Sequence, residues 1–473
     1  MFNRPAPPYR TNVTFKAIPA TQPTLEQGLN LHRRGDLEGA ARVYQALLRT
    51  QPHNAEALHL LGVATEGLGN SQQGIELMEQ ALAIDPGLAS AHLNRANALK
   101  RVGRYQDALA GYTAALQLKP DYPMAHSNRG ATLETQGRYT EAMAAYDQAL
   151  ELDPTYADAR WNKAALCLLL GDFDRGWPLF ESRWNVAAHG LGLRGLTQPQ
   201  WLGDAPLAGQ TLLIHAEQGL GDTIQFCRLA LETRAKGAKV VLEVPSALKC
   251  LLGSLHPDIS VIAQGEPLPP FDLHCPIASL PLALRLNLQS IPAPSRYLQA
   301  PEKNRTHWRS RLPTRQRKRV GLVWSGNPAH LNDGKRSLPL STLIRALPPT
   351  FDYYSLQKEV RSEDAKTLAN HPEITHWGQA LEDFADTAAL CEEMDLIISV
   401  DTSVAHLAAA LGRPTWILLP ALPDWRWLLE RSDSPWYPSV HLFRQTVLGQ
   451  WDAPLKKLSE FLRQFQSHSS GHL

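Results

Sequence analysis

The chain has 473 residues, 44% hydrophobic and 20% charged, an ordinary globular composition with enough apolar material for roughly three domains. Its 47 Lys and Arg against 46 Asp and Glu leave a formal net charge of +1, so there is no overall electrostatic pull toward nucleic acid or an anionic membrane. Five scattered cysteines (Cys167, Cys227, Cys250, Cys275 and Cys391) without CxxC spacing argue against a disulfide framework or a zinc site and fit a reducing cytoplasm best.

In chain order, residues 1–20 are Pro-rich, lack a continuous apolar segment and read as a disordered, unexported tail. No stretch of the chain approaches the ~18 apolar residues that span a bilayer. A repeat then begins. Glycines at Gly35, Gly69, Gly103, Gly137 and Gly171, and prolines at Pro52, Pro86, Pro120 and Pro154, recur every 34 residues. Small residues (Ala40, Gly74, Ala108, Ala142, Gly176) and bulky ones (Tyr44, Met78, Tyr112, Tyr146, Phe180) keep the same period. This pattern resembles the tetratricopeptide (TPR) family, in which a helix, a glycine turn and a second helix form each unit, with about five units over 21–187. Small residues let the helices approach and the bulky ones fill the space beside them. Asn94, Asn128 and Asn162, each followed by a cation, recur on the first helix of successive units. Such a ladder either holds an extended peptide backbone or bonds each repeat to its neighbour. Asp172-Phe173-Asp174 has the spacing of a DxD metal motif but sits in a repeat turn, which points to a turn role and no metal.

The last repeat runs into an aromatic segment (177–184) that suggests a packed junction, followed by a Gly-rich, mobile stretch, with the junction between domains expected at 188–209. From Gln210 the pattern changes to short β-branched runs between helical segments: TLLIHAE, KVVLEV and ISVIA, then RVGLVWSG, FDYYSLQ, EMDLIISVD and PTWILLP. This predicts a multidomain chain, an all-α solenoid followed by two α/β halves with parallel sheets. The halves are expected at 210–300 and 319–465, joined by a base-rich linker at 301–318 and followed by a flexible tail at 466–473. Ligands in such sheets sit beyond the carboxyl ends of the strands, so the motifs that matter follow those runs.

After the first run comes Gln218-Gly219-Leu220-Gly221-Asp222, with a helix expected from about Thr223. Ile224 stands where a dinucleotide fingerprint needs glycine, and no Gly-Lys-Ser/Thr follows. Asp222 reads either as a helix N-cap or as a general base at the cleft floor. After EMDLIISV come Asp401, Thr402, Ser403 and His406, with Ser403 as the expected N-cap. A helix start rich in free N–H groups and hydroxyls suits a diphosphate, and a capped helix with a surface histidine is the plainer alternative. The loop WSGNPAHLNDGKRSLP offers Asn327, His330, Lys335 and Arg336 to the same cleft, where cations can neutralise a leaving phosphate. The run 424–438 concentrates aromatics that would line a pocket or pack a core.

Taken together, HAEQGLGDTIQF, the WSGNPAH…KRSLPL loop and SVDTSVAHLAAALGRP resemble the family 9 glycosyltransferases, best known as lipopolysaccharide heptosyltransferases, over the last ~265 residues. With the N-terminal array, the chain is similar to bacterial TPR-glycosyltransferase fusions. The resemblance implies a GT-B fold and a metal-independent inverting reaction. It implies Asp222 as base and Asp401, Thr402 and His406 at the donor diphosphate, with Lys335 as the cleft lysine. Heptosyltransferases carry no repeat array, so their lipid-linked acceptor does not transfer. The array is similar instead to that of the protein O-linked N-acetylglucosamine transferases, an architectural analogy for a protein or peptide acceptor.

The expected function is therefore a cytoplasmic glycosyltransferase using a UDP-, ADP-, GDP- or dTDP-linked sugar as substrate, with no cofactor and no nucleic-acid partner. The alternative is an interaction scaffold whose α/β part binds nucleotide without turnover. A third reading, nucleic-acid binding by the basic run 305–319, competes with a solvated linker.

Overall fold

A computed structural model describes residues 23–192, 194–330 and 332–467. The expectation for the tail at 1–20 falls outside these residues, as does most of that for 466–473. The chain divides into two compact units, one of residues 1–166 with 182–192 and one of 167–181 with 193–473.

The helical solenoid consists of paired helices. They are α1 (Leu25–Arg33) with α2 (Leu37–Thr50), α3 (Ala55–Gly67) with α4 (Ser71–Ile84) and α5 (Ala89–Arg101) with α6 (Tyr105–Leu118). They continue with α7 (Pro123–Thr135) and α8 (Tyr139–Leu152), then α9 (Ala157–Leu169) and α10 (Phe173–Phe180). The five periodic glycines each end a first helix with φ between 72° and 95°, a conformation that side chains resist. Periodic small residues allow the aromatics to pack: a Cβ on Gly28 would lie 2.2 Å from the Tyr44 ring and one on Gly130 2.7 Å from Tyr146. Tyr44, Tyr112 and Tyr146 are fully buried as a result.

The second unit contains two wholly parallel sheets. The first holds β1 (Thr211–His215), β2 (Lys239–Val244), β3 (Ile259–Ala263) and β4 (Leu273–Pro276) in the order β3-β2-β1-β4. Around it run α11 (Leu220–Phe226), α12 (Leu229–Ala235), α13 (Ser246–Leu252) and α14 (Leu280–Ala283). The second sheet holds β5 (Arg319–Val323), β6 (Asp352–Ser355), β7 (Ile374–His376), β8 (Leu396–Val400), β9 (Thr415–Leu419) and β10 (Val440–Arg444). Its order, β7-β6-β5-β8-β9-β10, is the doubly wound arrangement that reverses between its first and fourth strands. Its core joins Val320, Leu322, Ile398 and Leu418 to Leu455, Leu458 and Leu462 on a C-terminal helix (Asp452–Ser467).

Two segments differ from their sequence reading. The base-rich stretch contains a helix, α15 (Glu302–Arg311), because Trp308 is buried with its indole donating to Asp386 at 3.0 Å. Its cations meet acids: Arg309 pairs with Glu393 at 3.0 Å, and Arg315 with Asp395. A run so neutralised offers little to phosphates, which counts against the nucleic-acid reading. After the Gly-rich stretch, Trp201 is buried and its backbone N–H donates to His274 of β4 at 2.7 Å, so the chain there is packed against the sheet.

Candidate active site

Each sheet reverses its strand order once, between β1 and β4 and between β5 and β8, and the chain leaving β1, β5 and β8 carries the motifs. Beyond β1 the glycine-rich turn enters α11 earlier than expected, at Leu220. Gly219 is the N-cap, and Asp222, three residues on, accepts the Gly219 N–H at 2.9 Å. Asp222 thus reaches back from the third helical position to the N-cap N–H, instead of being the N-cap itself. Gln218 is half-buried beside this turn.

Beyond β8, helix α20 (Ser403–Ala410) is capped by Thr402, one residue before the Ser403 expected in that role. The Thr402 hydroxyl is occupied by Ser399 at 3.2 Å and its backbone is extended, so the helix starts at Ser403 and His406 is its fourth residue. His406 is buried, not on the surface: Nδ1 lies 2.9 Å from the Tyr437 hydroxyl and the ring stacks on Trp427 at 5.3 Å. Burial, followed by the charges of Arg426, Arg228 and Arg336, holds its pKa well below the usual histidine range, which keeps the ring neutral.

The two helix starts abut. A Cβ on Gly221 would lie 3.0 Å from His406 Cδ2 and 3.5 Å from Ser403 Cα, a tight approach in which the His406 ring would have to give by a few tenths of an ångström. Gly221, next to Asp222, thus packs directly against the start of α20. Asp401 lies close by, with Oδ1 3.9 Å from His406 Nε2. Burial and then the nearby Asp424 push the Asp401 carboxyl up to about 6, against the pull of Trp427, Arg336 and Arg426.

The loop after β5 supplies the third side. Buried Asp333 accepts from Arg361 and from the Ser337 hydroxyl, at 2.8 Å in the latter case, and this brace shapes the short helix α16 (Asp333–Arg336). Arg336 donates to the Asp401 carbonyl at 3.0 Å, linking the β5 and β8 loops. Lys335 is exposed, and its side chain has no hydrogen bond or ion pair among the described residues. Asn327 is also exposed, and its side chain accepts the Ala329 N–H at 2.9 Å. His330 feels the charges of Arg336, Asp424 and Asp222, though burial is the main cause of its lowered pKa. Buried Gln225 Nε2, Arg336 Nε and Arg361 Nε have no hydrogen-bond partner among the described residues.

The residue that sequence reasoning missed is Arg426, on the short 3₁₀ turn Trp425–Trp427. Its guanidinium donates to Asp222, to Gln225 and, at 2.8 Å, to Asp424. Burial works against its charge, and Asp424 and Asp222 more than offset that. The available signal was a charge on either side of Trp425 inside an aromatic run. Arg228 plays a parallel part, donating to the Tyr297 hydroxyl at 2.8 Å and to the Trp436 carbonyl.

In the solenoid, the three asparagines are half-buried and each amide is turned to the preceding repeat. Asn94 bonds His59 at 2.9 Å, Asn128 bonds Asn97 at 2.9 Å and Asn162 reaches Ser127 at 3.5 Å. These bonds are those of the repeat-to-repeat alternative. Asp172 caps α10 and pairs with Arg175, a turn role.

These features define a repeat protein joined to a two-sheet α/β body, and two family profiles agree. Residues 25–89 and 93–157 match the tetratricopeptide repeat, and residues 380–418, which include Asp401–His406, match glycosyltransferase family 9 (heptosyltransferase). The chain therefore carries tetratricopeptide repeats in its N-terminal region and, at 380–418, a segment similar to glycosyltransferase family 9. Among particular proteins, it is 25% identical over 450 residues to Protein FlbA of Caulobacter vibrioides (strain ATCC 19089 / CIP 103742 / CB 15), spanning 90% of this chain and 70% of that one. The crystal structure of MamA is 23% identical, covering 34% of this chain and 95% of its own, with a TM-score of 0.31. A thermophilic TPR protein of Thermus thermophilus is 24% identical, covering 35% of this chain and 90% of its own, with a TM-score of 0.31. No helix among the described residues is long and apolar enough to cross a membrane.

Proposed function

We propose that the α/β unit is a GT-B-type inverting glycosyltransferase that takes its sugar from a nucleotide-diphosphate donor. The observation that carries this reading is the apposition of the α11 and α20 starts across Gly221, with a carboxylate on one and free helix N–H groups on the other. Asp222 takes the proton of an acceptor hydroxyl, whose oxygen bonds to the anomeric carbon as the carbon–oxygen bond to the diphosphate breaks. The diphosphate leaves with that electron pair toward Ser403 and the N–H groups of α20. Exposed Lys335 and, beside it, Arg336 offset its charge. Each oxygen of Asp222 already accepts one bond, from Gly219 or Arg426, and keeps a lone pair for the acceptor. Neutral His406 and the braced loop of Asn327 complete the donor side. The repeat array supplies a surface for a protein or peptide acceptor.

The same engagement of both Asp222 oxygens supports a second reading, a scaffold that binds nucleotide without turnover. A screen of UDP-, ADP-, GDP- and dTDP-sugars, read by mass spectrometry for transfer and hydrolysis, separates the two. Asp222→Asn is expected to lower turnover by about 100-fold or more with donor affinity kept, and Lys335→Ala to weaken donor binding. Transfer at the parental rate in Asp222→Asn would refute the base assignment, and donor binding without any product would favour the scaffold.

A further inference from the structure

Arg426 makes a contact that the proposed chemistry leaves unused. It is the charged residue that ties the second sheet's 424–427 segment to the helix bearing the candidate base. The guanidinium is buried, with Trp425 at 4.3 Å and Phe226 at 5.7 Å from ring centroid to Cζ. Nε donates to Gln225 Oε1, Nη1 to Asp424 Oδ1 and Nη2 to Asp222 Oδ1. Gly219 N–H meanwhile holds Asp222 Oδ2, so the two oxygens of the carboxylate are gripped from opposite sides, one by its own helix and one by the other half of the unit. A planar three-armed cation can grip Asp222, Asp424 and Gln225 at once; a lysine ammonium has neither the reach nor the geometry.

Packing fixes the fork. Trp425 meets Trp177 at 5.3 Å and Phe180 at 6.2 Å, both from α10, so the segment carrying Arg426 is backed by aromatic rings. Two residues just beyond it, Leu428 and Glu430, have left-handed φ values of 52° and 53°, a cost borne where the surrounding structure dictates the backbone. Asp424 shares the cation with Asp222, so neither carboxylate has the guanidinium to itself.

We infer that Arg426 is a positioning residue for the transfer step: reaching from the second sheet's side, it aims the Asp222 carboxylate and pairs its charge, so the base is competent only when the two halves are packed together. This rests on the reading of Asp222 as base. The charged and titratable groups around Asp222 are Arg426 and Asp424 on that segment, His330 on the β5 loop and His406 on α20, which packs against Gly221.

The test measures kcat and donor KM of the full chain, with and without added guanidinium ion, for Arg426→Ala and for Arg426→Gln, which keeps N–H donors but no charge and guards against a misfolded alanine variant. In both variants kcat is expected to fall about 100-fold with donor KM changed less than about threefold. Added guanidinium ion should restore part of the Arg426→Ala rate. Lost activity without guanidinium rescue, or a donor KM that rises as far as kcat falls, would reduce Arg426 to a structural strut and overturn the inference, as would parental kcat. The two failures are distinct: Asp222→Asn inactive beside fully active Arg426 variants spares the base and removes only Arg426. Asp222→Asn active removes both.

Discussion

Asp401 ends β8 as the strand delivers it, but its neighbours give it an unusual charge state. Burial and Asp424 raise its pKa to about 6, above its value of about 4 in an unfolded chain. Between those values the folded state holds more protons, so stability falls as pH rises through that window and stays lower above it. Asp401→Asn is therefore expected to raise stability at pH 8 by roughly 1–3 kcal/mol and to be neutral near pH 4. Denaturant titrations at the two pH values check this, and an equal effect at both would contradict it. At this scale the loops that leave the strands were legible as carriers of the motifs, and contacts link their residues: Arg336 bonds the Asp401 carbonyl, Asp401 lies beside His406, and Gly221, next to Asp222, meets Ser403 and His406. Arg426 was not, since its partners Asp222 and Gln225 lie about 200 positions away and no local period marks such a contact.

Among elements, α10 shows how a repeat helix becomes part of an enzyme-like body. Trp177 is buried, its indole N–H donates to the Leu286 carbonyl at 3.0 Å and its ring meets Phe173, Phe180 and Trp425. Truncation to alanine removes a large buried side chain and orphans that carbonyl. Trp177→Ala should cost about 3–5 kcal/mol of stability, measured by chemical denaturation of the full chain. A loss below about 1 kcal/mol would mean that α10 is only loosely attached. The strands were readable where β-branched residues ran together: KVVLEV and ISVIA coincide with β2 and β3. Three were not. β4 is Leu-His-Cys-Pro, β7 has three residues and β10 contains His441 and Arg444, so none carries an apolar run and pairing with a neighbour makes them strands. The asparagine ladder was visible as a period, but a period does not reveal which way an amide turns; its bonds run to the preceding repeats.

For the whole molecule, the net charge of +1 supplies no global field, so in the proposed reaction the donor's charge is left to local groups, Lys335, Arg336 and the α20 start. Family profiles touch both ends of the architecture but match only residues 380–418 of the α/β body, so the pairing of Asp222 with that region is a statement about folding, legible from strand order and not from any single motif. The two helices meet at Gly221, where a branched side chain would press on the His406 ring. The most direct measurement is calorimetric titration of nucleotide diphosphates into the full chain and into Gly221→Val, with circular dichroism matched between them. Binding by the parent that weakens about tenfold or more in the variant is the predicted result. Equal affinity in both, or no binding by the parent to any of the four nucleotides, would contradict a donor site between α11 and α20.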